Sequence, residues 1–259
     1  MIIFTKKKMQ KRYLFIIFAI LFLSSCSELM QLAQQAIDED KPLTQTEIIA
    51  GLKEALVVGT GKSVDILGVT DGYYRDEMVK ILLPPEADII VNNISKIPGG
   101  SQLLEDVLLR INRAAEDAVS EAKPIFVNSI KSMTINDAVG ILRGENNAAT
   151  QYLRRTTYEG LFQLYKPKIK TSLDKKLVGN ISTEQSWNTL TGKWNEIAGS
   201  LVGQVAGLKT VNVELDEYLT RKGLDGLFLK IEAEEKLIRE DPVARVTNLL
   251  KRVFGSLDS

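Results

Sequence analysis

The chain has 259 residues, with 33 basic and 33 acidic side chains, one cysteine and no histidine. A lone cysteine excludes an internal disulfide. The missing imidazoles remove the commonest general base and, with the thiol, the usual ligands of zinc, copper and haem, so no metal or cofactor is expected.

The N-terminus carries Lys6, Lys7, Lys8, Lys11 and Arg12, followed by an uncharged apolar run of 11 residues, Tyr13 to Leu23. A bilayer-spanning helix needs about 20 such residues. A basic start, a short apolar middle and small residues before a cut are the layout of a secretory signal. The segment ends Leu23-Ser24-Ser25-Cys26, which resembles the lipobox of bacterial lipoproteins. That resemblance implies diacylation, with palmitate-like chains, of Cys26 as the new N-terminus. Two acyl chains anchor stably where one does not. Ser27 follows the cysteine, where an Asp would imply inner-membrane retention, so outer-membrane placement facing the periplasm is expected. Removing residues 1–25 leaves 28 basic against 33 acidic residues, a net charge of −5. That balance argues against a nucleic-acid partner, which needs a basic face. The expected organisation is a signal peptide over 1–25, a lipidated tether over 26–43 and a single helical domain over 44–259.

Within the tether, Ser27 to Ile37 reads as a short helix and Asp38 to Pro42 as a polar break. Thr44-Gln45-Thr46-Glu47 has capping-box spacing. It opens a helix with Ile49, Leu52, Leu56, Gly59, Ser63 and Ile66 on one face, stopping at Gly68. Asp71-Gly72 is a turn signal. Tyr73-Tyr74 and Val79 to Leu83 are strand formers before Pro84-Pro85, so 70–85 reads as a hairpin or an extended arm. A helix is expected over Glu86 to Ile94, ended by Pro98-Gly99-Gly100.

The longest helical pattern carries Leu104, Val107, Ile111, Ala114, Ala118 and Ala122, and Pro124 is expected to kink or break it. A further helical segment covers Ile125 to Met133, and Thr134 and Asn136 can start the next, which holds Ala138, Ile141 and Leu142 and ends at Gly144. Asn146 is the expected cap of a long helix through Tyr165, interrupted at Pro167. Ser182-Thr183-Glu184-Gln185 is a second capping box, opening a helix with Trp187, Leu190, Trp194 and Ile197 on one side. Gly199 to Asn212 is glycine-rich and weakly polar, a loop that could dip toward lipid. Helices are then expected over Glu214 to Arg221, Leu224 to Arg239, and from Asp241-Pro242 to Gly255. The fold class is all-α, a bundle of about nine helices with one extended arm or hairpin.

A set of stretches is familiar together. They include Glu47 to Leu56, Asp71-Gly72-Tyr73, Val79-Lys80-Ile81 leading to Leu83-Pro84, Met133 to Ala138, Ile141 to Gly144, Ala148 to Leu153, Lys222 to Phe228, and Asp241 to Arg245. Over roughly residues 44–255 the chain resembles the bacterial domain-of-unknown-function family 4197. The resemblance implies an exported or lipid-anchored protein of Gram-negative cells and carries no assigned activity.

Candidate chemistry is sparse. Gly59-Thr60-Gly61-Lys62-Ser63 imitates the end of a phosphate-binding loop, but Leu56 stands where the first glycine belongs and the pattern before it is helical. Arg154 and Tyr158, one turn apart, form with Asp137 or Arg143 the candidate ligand-binding set for an anionic or sugar-like ligand. Against that stands a structural role, an ion pair at the bundle edge and a packed ring. Trp187 and Trp194 read as core more readily than as a stacking platform. Glu232, Glu234, Glu235, Lys236 and Arg239 read as a solvated face.

These features point away from an enzyme. The leading expectation is a membrane-tethered periplasmic lipoprotein binding a small apolar or amphipathic ligand, or an envelope protein. A hydrolase or transferase of envelope polymers working through Asp, Glu, Tyr and Arg is the alternative. A purely architectural envelope protein is the third.

Overall fold

The computed structural model describes residues 41–258. Cys26, the signal segment and most of the tether lie outside the described residues. Nine α-helices are present among the described residues: α1 (Gln45–Leu67), α2 (Asp88–Asn92), α3 (Gly100–Ser132), α4 (Ala138–Leu142), α5 (Ala148–Asp174), α6 (Thr183–Gly199), α7 (Leu201–Val205), α8 (Leu215–Glu240) and α9 (Asn248–Gly255). Single 3-10 turns cover Pro85–Ala87, Ile94–Lys96 and Pro242–Ala244. The only β pairing among the described residues is an isolated bridge between Val178 and Ile181.

The centre of the bundle is α3. At 33 residues it is about 50 Å long. Ala114, Ala115, Ala118 and Ala122 are fully buried on it, and such small side chains let neighbouring helices approach closely. It packs against α1, α5 and α6, while α8 closes the bundle against α1 and α5. Large buried side chains such as Leu52, Phe126, Trp194 and Phe228 belong to one core cluster, each contributing about 1.5–3 kcal/mol or more on burial.

Both capping boxes form. Thr44 Oγ1 accepts from the Glu47 amide at 3.2 Å and Glu47 accepts from the Thr44 amide at 2.8 Å. Ser182 and Gln185 do the same at the start of α6. Helix α1 stops at Gly68 as expected. Trp187 and Trp194 are both in the core, their indole N–H groups donating to the Val213 and Lys209 carbonyls.

Several boundaries differ from the sequence expectations. Helix α3 runs through Pro124, and α5 through Pro167. Both prolines are on the solvent side, so the ring and the missing N–H face water, while Phe126, Ile130, Tyr165 and Ile169 keep both halves packed. The expected break before Leu224 is absent, because α8 continues through Gly223 and Gly226. Asp241-Pro242 starts only a 3-10 turn, and α9 begins later with Thr247 as its cap. The segment after Pro85 is a 3-10 turn followed by the short α2 rather than one helix.

Residues 69–84 form turns and then an extended arm, not a hairpin. Asp71 takes a left-handed φ of 71° and is held by Arg113 and Arg75. A Cβ at Gly72 would sit 2.5 Å from the Leu67 carbonyl oxygen. The Tyr73 and Tyr74 amides both donate to Glu116 Oε1 at 3.0 Å. Further on, the Ile81 amide donates to Asn112 Oδ1 at 2.9 Å, and Asn112 Nδ2 donates back to the Ile81 carbonyl at 2.8 Å. One side-chain amide on α3 thus does for the arm what a neighbouring strand would do in a sheet.

Candidate functional site

Arg154 and Tyr158 do come together on α5, with partners from α8. Arg154 pairs with Asp225, and its guanidinium lies 5.4 Å from the Tyr158 ring and 5.3 Å from the Phe228 ring. Tyr158 stacks on Phe228 with centroids 6.1 Å apart. Burial, then the Asp225 charge, raises the Tyr158 pKa, so the phenol is neutral. This is an ion pair capping an aromatic stack at the seam between two helices. It gives the structural reading of the pair its geometry.

Asp137 and Arg143 lie elsewhere, at the two ends of α4. Asp137 is the N-cap, accepting from the Gly140 amide at 2.8 Å. Arg143 is exposed and borders a different cleft, with α9 opposite. Among the described residues, no hydrogen bond or ion pair joins either of them to Arg154 or Tyr158.

The charged stretch of α8 is solvated only in part, with Lys236 exposed and Glu232 half-buried. Glu234, Glu235 and Arg239 are all buried. Glu235 accepts from the Ala149 amide at 3.0 Å and the Thr150 amide at 2.7 Å, so it caps α5 in place of the expected Asn146. Arg239 pairs with Glu235 at 2.7 Å and donates to the Leu142 and Ile141 carbonyls, closing the C-terminus of α4. Lys62, from the sequence that imitates a phosphate loop, pairs with Glu234 at 3.1 Å. That loop motif is helical throughout and is committed to packing α1 on α8.

The most ligand-like concavity lies where the arm leaves Ile81. A groove of about 530 Å³ runs between the arm, α2, the start of α3 and α8. Leu82, Val91, Leu104 and Leu108 give it an apolar wall, and Leu82 is 62% exposed there. Tyr218 fixes the arm across it, its hydroxyl donating to the Leu82 carbonyl at 3.0 Å. Burial, then the charges of Glu86 and Asp88, push the Tyr218 pKa up to about 12, so it remains a neutral hydrogen-bonding group. Lys80 and Lys222 stand at one end and also border the adjoining hollow next to Arg154. Lys80 Nζ is 4.5 Å from the Tyr74 ring centroid, and Lys222 Nζ is 5.9 Å from that of Tyr218. Asp88 is the acidic side chain on the groove wall. An apolar trough of this size with two cations at one end suits a chain-like molecule carrying an anionic head.

Among the described residues, no group of three or more Asp, Glu, Cys or His is arranged to hold a metal ion. No helix there is long and apolar enough to cross a membrane.

A family model described as "Protein of unknown function (DUF4197)" matches residues 42–255. The chain belongs to this family. No curated protein and no solved structure matches it. Two of the stretches that carried the resemblance meet in the core of this DUF4197 member. Tyr73 is fully buried and donates its hydroxyl to the Gly223 carbonyl at 2.9 Å. A Cβ at Gly226 would come within 2.9 Å of the Tyr73 ring and 3.3 Å of Val79. The Asp71-Gly72-Tyr73 turn and the glycines of Lys222 to Phe228 are therefore two halves of one joint.

Groove residues Lys80, Leu82, Tyr218 and Lys222 were not on the sequence list of site candidates. One signal was present. Val79, Ile81 and Leu83 point inward along the arm, which puts Leu82 at an outward position where a polar residue is ordinary.

Proposed function

We propose that the protein is a lipid-anchored envelope protein, not an enzyme, whose helical body holds an amphipathic ligand with an apolar chain and an anionic head. The Leu82–Tyr218 groove carries this reading. It is an apolar trough lined by an exposed leucine, with Lys80 and Lys222 at one end. The chain would lie along Leu82, Leu104 and Leu108, and the head would meet the two ammonium groups. The lipobox-like Leu23-Ser24-Ser25-Cys26 supports the anchor and would keep the groove close to a source of such molecules.

A fluorescent long-chain fatty acid titrated into the chain from Lys41 onward tests the ligand site. Every residue of the core cluster lies within that stretch. Leu82→Glu places a charge on the groove wall at an exposed position and is expected to weaken binding roughly tenfold or more. Lys222→Ala is expected to weaken it less, by removing one of two cations. Equal affinity of all three proteins would remove the groove from the proposal.

A further inference from the structure

We propose that the corner between α6 and α7 is a lipid-contact tip, which seats the side chains of Leu201, Val202 and Val205 in the interface of a bilayer. The three are 82%, 80% and 90% exposed. On α7 they fall within about 100° of arc, so they form one stripe. From 197 to 213 the sequence holds no acidic residue and a single cation, Lys209. The long stem of a lysine suits the boundary between acyl chains and headgroups. Glu196 and Glu214 bracket the stretch at its base.

The backbone of the corner fits it to lipid. Hydrocarbon offers no hydrogen bonds, so a chain that enters it must answer its own polar groups. Ser200 Oγ accepts from the Gly203 amide at 3.0 Å and donates to the Ile197 carbonyl at 2.7 Å. Gln204 Nε2 donates to the Gly199 carbonyl at 2.8 Å. At the far end Gly207 turns the chain back with a φ of 67°, and the Ala206, Gly207 and Leu208 amides donate to the Val202, Gln204 and Gly203 carbonyls. Trp194 donates to the Lys209 carbonyl, and Asn195 bonds both the amide and the carbonyl of Val211. A Cβ at Gly203 would fall 2.1 Å from the Ile197 carbonyl oxygen. The corner therefore sits directly on the end of α6 and presents its stripe in a fixed direction. A protein partner fits this stripe less well. Three aliphatic side chains offer on the order of 300 Å², against about 800 Å² per partner in a stable protein interface. The fifteen residues from Cys26 to Asp40 span up to about 50 Å when extended, which is about the length of α3. An anchor at Cys26 thus leaves the tip free to reach the same membrane, although the insertion itself does not rest on that anchor or on the Leu82–Tyr218 groove.

The test uses the full chain with Cys26→Ser, which removes the native thiol, reconstituted in phosphatidylcholine vesicles. An environment-sensitive thiol probe is placed at Val202→Cys or, for comparison, at Gln163→Cys, an exposed position on α5. The probe at 202 is expected to emit at shorter wavelength and to be quenched severalfold more strongly by brominated acyl chains than the probe at 163. Adding Leu201→Gln/Val205→Gln to the chain probed at 202 is expected to abolish both signals, because the native side chains and not the dye drive insertion. Circular dichroism checks that the fold is kept. A probe at 202 that reports water, equal quenching at the two positions, or quenching that survives Leu201→Gln/Val205→Gln would overturn the proposal. So would a shift without quenching, which means that a second copy or residues 1–40 cover the stripe. The readout is local to the tip, so its failure is distinct from failure of the anchor.

Discussion

At the scale of single residues, the polar groups that matter most to this fold sit on apolar faces. Glu235 and Arg239 are 1% and 5% exposed. Between them they satisfy two helix ends, the free amides of α5 and the free carbonyls of α4. Helix ends otherwise leave such groups to water or to local caps. Removing one member of a buried pair strands the other charge, which costs about 3–5 kcal/mol. Arg239→Ala is therefore expected to lower unfolding stability by about that amount in a urea titration. A loss below about 1 kcal/mol would mean that the pair is solvated rather than buried. The role of these residues was partly legible in the sequence. Ile231, Glu235 and Ile238 fall at helical spacing on one face, so the stripe that buries the isoleucines buries Glu235 too. Counting charges along the chain hid what the periodicity showed.

Among the secondary elements, capping chemistry and apolar periodicity were readable, and breaks were over-read. Thr44 and Ser182 start helices because their side chains answer local amides, a property of four adjacent residues. The continuity of α3, α5 and α8 depends on contacts from far along the chain. Pro124 and Pro167 are tolerated because they face solvent, Gly226 sits inside a helix because Tyr73 needs the space, and the Gly223 carbonyl takes the Tyr73 hydroxyl bond. The arm reads as a strand because Asn112 pairs its backbone and its side chains alternate, but among the described residues no second strand joins it.

Ion pairs between turns and helices make the attachment of these elements pH-dependent. Hydrogen bonds from Arg113, Lys230 and Arg245 lower the pKa values of Asp71, Asp76 and Asp258, and the Thr44 amide, with Arg252 contributing, lowers that of Glu47. A depressed folded pKa gives stabilisation that is present above the unfolded value, near 4, and lost as pH falls through the folded one. Tyrosines act at the other end. Burial raises the pKa values of Tyr73 and Tyr165 and pushes that of Tyr218 up to about 12. Their contribution is present below the unfolded value of about 10 and fades as pH rises beyond it. The urea midpoint is expected to be flat from about pH 5 to 9, falling below about pH 4 and above about pH 10. An unchanged midpoint on the alkaline side would show that these phenols ionise freely in the fold.

At the scale of the whole molecule, the first described residues, from Lys41, and the most exposed apolar tip among the described residues are at opposite ends. Lys53 donates to the Lys131 carbonyl, which places the start of α1 beside the end of α3. Thr183 donates to the Arg110 carbonyl and Ser186 to Asp106, so α6 runs antiparallel to α3 and carries α7 toward the other pole. There Leu201, Val202 and Val205 are at least 80% exposed. The cleft that Arg143 borders is at the pole of the first described residues, next to Lys41, and the Leu82–Tyr218 groove opens along the flank. This polarity was not legible in the sequence, because it follows from the crossing of α1, α3 and α6. The family resemblance and the all-α class were legible. The groove was not, since its walls come from four elements far apart in the chain.

The whole arrangement acquires its meaning from the proposed anchor at Cys26. Metabolic labelling with a palmitate analogue, followed by membrane fractionation, tests it most directly. The wild-type chain is expected to take up label and to sediment with the membrane fraction, while Cys26→Ser takes up none and accumulates unprocessed. Equal labelling of the Cys26→Ser variant, or a wild-type chain that is unlabelled, would contradict the lipid anchor.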